Sequence, residues 1–152
     1  MLDMLKKVHL FETLTTAELE KIDGISRVES IAKDTVIFKE GDVGDRCYVI
    51  THGAVRISKF IPHIGEEALA VLKPGDCFGE MALIDTFPRS AHAIANTDAA
   101  LLTINKTELD KILIMDRDIG YKLLWAFSKT LSKRLRETNQ KMASFLAMSG
   151  GF

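Results

Sequence analysis

A short stretch just past the middle of the chain carries residue types that can bind a phosphorylated sugar. Gly79 lets the backbone approach a ligand closely, and a helical turn after it would present free N–H groups to an anion. Ten residues further on, Arg89 can donate two parallel hydrogen bonds to a phosphate, and Ser90 adds a hydroxyl. Glu80 accepts hydrogen bonds when ionised, which suits sugar hydroxyls. These residues predict a pocket for a phosphate joined to a ribose, although an arginine after a proline is also often a solvated surface residue.

The elements that must position this stretch are mainly short strands. From Val28 to Ile104, short β-rich segments alternate with glycine-bearing turns, a pattern typical of a β-sandwich or barrel. Residues 78–84 lack this alternation and predict a single helical turn. We expect one domain over residues 1–152, mainly β with flanking helices. Its predicted parts are a helical N-terminus in 1–27, a barrel in 28–105 and C-terminal helices in 106–148.

Helical patterns occur at both ends of the chain. Residues 1–25 predict helix, and Thr15 with Glu18 forms a capping box within them. Thr107 opens a short helix, and a longer one is predicted from about Ile119 to Met148. Seven of its residues recur at spacings of four and three, as in the seam of a coiled coil: Leu124, Ser128, Leu131, Leu135, Thr138, Met142 and Phe145.

The composition argues against several classes of protein. Hydrophobic residues make up 47% of the 152 residues and charged residues 27%, which is ordinary for a globular domain. A net charge of −1 gives no general attraction to nucleic acid or to an anionic membrane. No apolar run reaches the roughly 18 residues that a spanning helix needs, and the start of the chain does not have the pattern of a secretory signal. We therefore expect a cytoplasmic protein with no membrane partner.

Neither a metal site nor a catalytic nucleophile is predicted. Barrel enzymes of the cupin type hold a metal with clustered histidines and a carboxylate, whereas the four histidines here are scattered: His9, His52, His63 and His92. Cys47 and Cys77 lack metal-ligand spacing, and we expect both to stay reduced in the cytoplasm. The chain is therefore not expected to be an enzyme or to carry a cofactor.

The segment Phe78-Gly79-Glu80-Met81-Ala82-Leu83, followed by Pro88-Arg89-Ser90-Ala91, closely resembles the phosphate-binding cassette of cyclic-nucleotide-binding domains. These domains occur in the catabolite activator (cAMP receptor protein) family of bacterial regulators, in regulatory subunits of cAMP-dependent kinase and in cyclic-nucleotide-gated channels. Turn glycines match as well, in residues 41–45, 48–53 and 74–76. The resemblance covers about residues 10–145 and implies a double-stranded β-helix, or jelly-roll-like barrel.

The resemblance implies a role for each cassette residue. Arg89 would bind the equatorial oxygen of the cyclic phosphate, and Glu80 would accept a hydrogen bond from the ribose 2′-hydroxyl. The other cassette contacts would come from Phe78, Gly79, Met81, Ala82, Ser90 and Ala91. Three apolar residues are candidates for the pocket walls, or equally for the barrel core: Ile57, Leu69 and Val71. A serine after the cassette arginine favours cAMP over cGMP.

The long C-terminal helix carries a second resemblance. Its segment Arg134-Leu135-Arg136-Glu137-Thr138-Asn139 resembles the dimer helix of the catabolite activator family, in which a Thr-Ser pair reaches the adenine, one residue from each subunit. Thr138 matches the threonine and Arg134 is a further candidate contact, while Asn139 replaces the serine. The alternative for Thr138 is a small polar residue tolerated in the seam. We expect a parallel homodimer through this helix.

Two other functions stay open at this level. One is a transcription regulator of the catabolite activator family that lacks its DNA-binding domain. No recognition helix is found after the dimer helix, and basic residues are concentrated only in residues 129–141. The other is a dimerisation scaffold without a ligand, which the presence of both Glu80 and Arg89 disfavours. The expected function is a cyclic-nucleotide sensor that passes ligand occupancy through its C-terminal helix to a protein partner. Nucleic acid is not expected to bind this chain alone.

Overall fold

Two antiparallel sheets of four strands each form the body of the computed structural model, which describes residues 1–150. The strand orders are β1-β8-β3-β6 and β2-β7-β4-β5. The strands are β1 (Ser26–Ile31), β2 (Val36–Phe38), β3 (Arg46–His52), β4 (Val55–Ile61), β5 (Gly65–Leu72), β6 (Cys77–Phe78), β7 (His92–Ala95) and β8 (Ala99–Asn105). This arrangement confirms the predicted jelly-roll class.

Helices flank the sheets at both ends of the chain. They are α1 (Leu2–Lys6), α2 (Thr16–Ile25), α3 (Lys106–Met115) and α4 (Arg117–Ser149), with 3-10 turns at His9–Phe11 and Glu80–Leu83. The capping box is confirmed, since the Thr15 hydroxyl accepts from the Glu18 N–H at 3.2 Å and the Glu18 carboxylate accepts from the Thr15 N–H at 2.8 Å. A continuous N-terminal helix is wrong, because residues 7–15 form a turn, a 3-10 helix and a loop.

The strand boundaries differ from the expectation in two places. The first strand begins at Ser26 rather than at residue 28, directly after α2. The two-residue strand β6 was not expected, because a strand this short has no alternation to reveal it. It pairs with β3 through Tyr48–Phe78 and Val49–Cys77, and it leads directly into the cassette.

The central strands are buried on both faces, which explains their unbroken apolar runs. Along β3, Cys47 and Val49 join a core cluster beneath the helices, while Tyr48 and Ile50 join a second cluster between the sheets. Strand β8 divides in the same way, with Leu101 between the sheets and Ile104 beneath the helices. By contrast, β5 is the edge of its sheet and is largely exposed.

The buried residues of helix α4 all lie in its first half. Four of its residues are buried against the helical core cluster: Ile119, Leu123, Ala126 and Phe127. The Asp116 carboxylate caps the helix by accepting from the Ile119 N–H at 3.2 Å, and the Lys122 ammonium donates to Glu18 on α2 at 2.8 Å. A helix of 33 residues is about 50 Å long, so its second half extends beyond these contacts.

No helix among residues 1–150 is both long enough and apolar enough to cross a membrane.

Candidate ligand-binding site

The cassette begins at the last residue of β6, Phe78, and continues directly into Gly79. This residue has φ 71° and ψ 10°, in the left-handed region that residues with a Cβ adopt only at a cost. A Cβ here would also lie 2.7 Å from Nη1 of Arg89. The 3-10 turn of Glu80–Leu83 follows at once, which confirms the predicted helical turn. Position 79 therefore requires glycine for its backbone conformation and for its closeness to the arginine.

The guanidinium of Arg89 is held in place by backbone carbonyls. Arg89 is only 7% exposed. Its Nη1 donates to the Gly79 carbonyl at 2.9 Å and its Nη2 donates to the Arg46 carbonyl at 2.7 Å. Its Cζ lies 4.2 Å from the centroid of the Phe38 ring, which is a cation–π contact. Nε has no hydrogen-bond partner within residues 1–150. This buried cation therefore has an unused N–H, from which an anion could accept a hydrogen bond.

The turn of residues 39–45 closes over the backbone of Arg89. The Gly41 N–H donates to the Arg89 carbonyl, and the Arg89 N–H donates to the Asp42 carbonyl, both at 2.8 Å. A Cβ on Gly44 would lie 2.5 Å from the Cβ of Ala82 and 3.0 Å from Cζ of Arg89. The turn therefore packs directly on the cassette, and glycine at position 44 makes this approach possible.

The last residue of this turn, Asp45, is a carboxylate that limits the negative charge that the site tolerates. The pKa of Asp45 is below its ordinary value, first because Arg46 donates hydrogen bonds to it and to a lesser degree because of the Arg46 and Arg89 charges. Asp45 therefore stays ionised near neutral pH. An anion that binds here with one negative charge is repelled less than one with several.

Glu80 connects the cassette to the long helix. The side chain of Glu80 is 7% exposed, and Nη1 of Arg134 on α4 donates to its Oε1. Arg134 therefore lies at the cassette, bonded to the carboxylate predicted to bind a ribose hydroxyl, and its contact with the base stays a prediction. A sugar hydroxyl at Glu80 would share or replace this contact.

The other cassette residues have different surroundings. Phe78 is 3% exposed, and its ring stacks on Tyr48 with centroids 4.9 Å apart. Its side chain packs in the core between the sheets, and its contact with a ligand stays a prediction. Ala82 and Ala91 are buried, whereas Met81 and Ser90 are exposed, so the serine hydroxyl is accessible next to Arg89.

The three predicted wall residues do not share one face. Ile57 pairs with Ala70 and packs partly on the cluster between the sheets. Val71 pairs with Arg56, and directly paired residues lie on the same face, so Val71 is on the face opposite to Ile57. Leu69 lies where the register of β4 and β5 shifts, and it is 54% exposed. Ile57 and Val71 therefore do not line the same wall, and the contact of each with a ligand stays a prediction.

Thr138 and Asn139 lie about one helical turn beyond Arg134 on α4, and both are exposed. The apolar seam through this part of the helix is also exposed, with Leu135 at 62% and Phe145 at 68%. Thr138 shares a helix face with Arg134 because the two are four residues apart. The seam is thus available to a partner of matching shape.

Three contributors to the site were not predicted: Phe38, Gly44 and Arg46. Phe38 and Gly44 touch the guanidinium of Arg89, and Arg46 contributes its carbonyl. The sequence holds one signal for them, the turn Gly41-Asp42-Val43-Gly44-Asp45. Every residue has a backbone carbonyl, so the residue type does not indicate which carbonyl acts as the acceptor.

Within residues 1–150, no group of three or more His, Cys, Asp or Glu side chains is placed to hold a metal ion. Cys47 and Cys77 are free thiols. The pKa of Cys77 is raised well above its ordinary value, first by a hydrogen bond with Cys47 and then by burial, so this thiol stays protonated.

The sequence of the barrel matches a known family. The family model named cyclic nucleotide-binding domain matches residues 28–116, more than half of the chain. The chain belongs to this family. Its cassette, from Phe78 to Ala91, lies inside the matched range.

Two curated relatives of this cyclic nucleotide-binding domain are named for cyclic AMP. The chain is 35% identical over 108 residues to a cyclic AMP receptor protein of Thermus thermophilus, covering 70% of this chain and 47% of the relative. It is 26% identical over 144 residues to a CRP-like cAMP-activated global transcriptional regulator of Mycobacterium tuberculosis, covering 95% and 62%. The chain thus spans less than two thirds of either relative.

Solved structures share the fold of this domain. The N-terminal domain of a transcriptional regulator from Streptomyces coelicolor A3(2) has a TM-score of 0.78 and 33% identity, covering 92% of this chain and 95% of that one. The regulatory domain of Toxoplasma gondii PKA, crystallised with cAMP, has a TM-score of 0.73 and 26% identity, covering 87% and 48%.

Proposed function

We propose that this cyclic nucleotide-binding domain binds cAMP at the cassette and acts as a regulatory module, with no catalytic activity and no cofactor. Its relatives named for cAMP activation, and a neighbour crystallised with cAMP, support this ligand. The output is a change in α4 that a protein partner reads in the cytoplasm.

The observation that carries the proposal is the environment of Arg89. The buried guanidinium is held by two carbonyls, its Nε–H has no partner, and no carboxylate of residues 1–150 lies within 4.0 Å of it. A cyclic phosphate carries one negative charge and two exocyclic oxygens, so it would take over the donors now given to carbonyls. Both partners of such a bond are ionised, so Coulomb attraction adds to the hydrogen bond, which a neutral carbonyl does not offer. The hydroxyl of Ser90, exposed beside this position, would add a donor.

The relay to α4 would start at Glu80. Arg134 is bonded to this carboxylate. A ribose 2′-hydroxyl that donates to Glu80 changes the bonding of Arg134, and therefore the position of the helix that carries it. Because ligand and helix meet at one carboxylate, occupancy would shift the equilibrium between helix positions.

The second half of α4 would form a parallel homodimer. From residue 131 onward every residue of the helix is exposed, including the apolar seam. Apolar residues at spacings of three and four favour a coiled coil with a second copy. In this arrangement Thr138 would contact the base of the bound nucleotide, and Asn139 of the other copy would offer an amide to the base edge.

Calorimetric titration of the chain with cAMP, and then with cGMP, tests the ligand assignment. We expect binding of cAMP that is tighter than binding of cGMP, because Ser90 follows the cassette arginine. In Arg89→Ala, loss of roughly 2–5 kcal/mol of charge-assisted bonding should weaken the cAMP affinity about 30- to 4,000-fold. Equal affinity of the wild-type chain and this variant, or no binding of either nucleotide, would overturn the proposal.

A further inference from the structure

The last residue of the 3-10 turn in the cassette, Leu83, is bonded to helix α3 by a lysine. The ammonium of Lys106, the first residue of α3, donates to the Leu83 carbonyl at 3.2 Å. The last carbonyls of a helical turn have no partner within it, and a lysine ammonium can satisfy them. Asp110, one turn further along α3, lies 3.3 Å from the same ammonium. These contacts hold the end of the cassette turn against the start of α3.

Lys106 is bonded to a second segment of the site through its backbone. Its N–H donates to the Asp45 carbonyl at 2.8 Å, and Asp45 is the last residue of the turn that closes over Arg89. The side chain of Lys106 is only 28% exposed, and a hydrogen bond shielded from water is stronger than one at an open surface. One residue of α3 is thus bonded both to the cassette turn and to the turn of residues 39–45.

The same two stretches of backbone provide the carbonyls that hold the guanidinium of Arg89. Gly79, which directly precedes the 3-10 turn, accepts from Nη1, and Arg46, which directly follows Asp45, accepts from Nη2. An anion that accepts from these donors in their place would release both carbonyls. Each of the two lies within four residues of a carbonyl that is bonded to Lys106. A change at the guanidinium therefore reaches Lys106 along two short stretches of backbone.

Helix α3 is in turn joined closely to α4. One residue, Asp116, separates the two helices. Leu83 of the cassette turn, Leu109 on α3 and Leu123 on α4 belong to one buried cluster. Because close-packed interiors have low compressibility and transmit strain, a shift of α3 displaces the start of α4.

We propose that Lys106 is a positioning residue that transmits ligand occupancy from the cassette to α3 and α4, an inference that rests on the proposed function. Arg134 bonds Glu80, the first residue of the 3-10 turn, to the second half of α4. Lys106 bonds the last residue of the same turn to α3. The turn is thus bonded to a helix at each end. A ligand that displaces the turn would then move α3 even where it replaces the bond from Arg134.

Fluorescence of Trp125, the single tryptophan of the chain, reports on α4 during a titration with cAMP. Lys106→Met removes the ammonium and both of its contacts, so we expect the change in emission at saturating cAMP to fall to about half or less. Lys106→Arg keeps the charge and the donors and should keep the wild-type change. Lys111→Met, at an exposed position of the same helix, is the matched control and should respond like the wild-type chain.

Calorimetry separates this effect from a loss of the ligand. Leu83 and Asp45, the residues bonded to Lys106, are not among the predicted ligand contacts. The cAMP affinity of Lys106→Met should therefore stay within about fivefold of the wild-type value, which corresponds to about 1 kcal/mol. A wild-type change in emission in Lys106→Met, or an equal loss of this change in Lys111→Met, would overturn the proposal.

Hydrogen exchange without nucleotide tests the connection independently of cAMP binding. In Lys106→Met we expect faster exchange of the amides of residues 80–89, because the ammonium no longer holds the end of the cassette turn. Lys111→Met should exchange like the wild-type chain. Unchanged exchange in Lys106→Met would overturn the connection, whereas a wild-type chain that binds no nucleotide would overturn the proposed function. Circular dichroism of each variant confirms that it is folded.

Discussion

The cassette around Arg89 and the second half of α4 would contact the same nucleotide, but the chain supports them differently. Arg89 is 7% exposed, donates to the carbonyls of Gly79 and Arg46, and lies over the ring of Phe38. Its backbone is hydrogen-bonded to the turn of residues 39–45. In α4, all residues from 131 onward are exposed, and Arg134 bonded to Glu80 is the tether to the cassette in the described part of the chain.

The cassette around Arg89 is therefore preorganised, whereas the second half of α4 can move. A cation held by buried contacts from its own domain costs little further ordering when its ligand arrives. A helix half without buried contacts can change position at little cost, and its apolar seam gains from a second copy. The phosphate end would then provide affinity, and the helix would provide the response.

The largest expected effect is on the seam. Leu135→Glu places a charge in the proposed dimer contact twice, once in each copy, and should weaken dimerisation more than about 100-fold. Sedimentation velocity should show a dimer for the wild-type chain and a monomer for the variant. Arg136→Glu reverses a charge next to the seam on the same helix and should remain dimeric. A monomeric wild-type chain at every concentration, with and without cAMP, would contradict the dimer.

The next effect is on the rigidity of the cassette. Gly44→Ala pushes a Cβ against Ala82 and Arg89, and overpacking of this kind costs about 1–3 kcal/mol. Urea denaturation should show this loss. Gly24→Ala is the matched control, because nothing lies within 4 Å of its added Cβ in helix α2, and it should be as stable as the wild-type chain or up to about 1 kcal/mol more stable. Equal stability of the two variants would show that the turn does not press on the cassette.

A smaller effect is expected where α4 would meet the base. Thr138→Ala removes one hydroxyl, and a hydrogen bond of about 0.5–1.5 kcal/mol corresponds to about 2- to 12-fold in affinity. We expect the ratio of cAMP to cGMP affinity to change by this amount in calorimetry. The variant Ser128→Ala, at a seam position ten residues earlier, should keep the wild-type ratio. If both variants keep it, Thr138 is a tolerated polar residue of the seam.

The smallest effect concerns the anchored half of α4. The pKa of Glu18 is lowered from 4.5, first by its hydrogen bond with Lys122 on α4. A carboxyl with a lowered folded-state pKa stabilises the fold above its unfolded-state pKa, and this contribution is lost as the pH falls through the folded-state value. Glu18→Gln should lower stability by about 1 kcal/mol at pH 7 and flatten the decline in stability below about pH 4.5. Glu20→Gln, exposed on the same helix, should leave the decline unchanged.

The sequence predicted those parts of the site that depend on residue type and local spacing. The structure brings Gly79 and Arg89 together, as their order along the chain predicts. The turn after Gly79 and the capping box at Thr15 depend on neighbouring residues alone. The cassette and its resemblance together led to the correct family.

The features that the sequence did not indicate depend on distant parts of the chain. The faces of Leu69 and Val71 follow from a register shift that pairing with β4 determines. Phe78 was expected at the ligand but stacks on Tyr48, a contact between strands that lie 30 residues apart. The contribution of Arg46 is a carbonyl positioned by the sheet, which residue type does not reveal.

A crystal structure of the chain grown with cAMP tests the central claim most directly. We expect the cyclic phosphate within hydrogen-bond distance of the Arg89 guanidinium and the Ser90 hydroxyl, with the ribose 2′-hydroxyl on Glu80 and a changed contact between Glu80 and Arg134. A nucleotide bound elsewhere, with Arg89 still bonded only to the Gly79 and Arg46 carbonyls, would contradict the account.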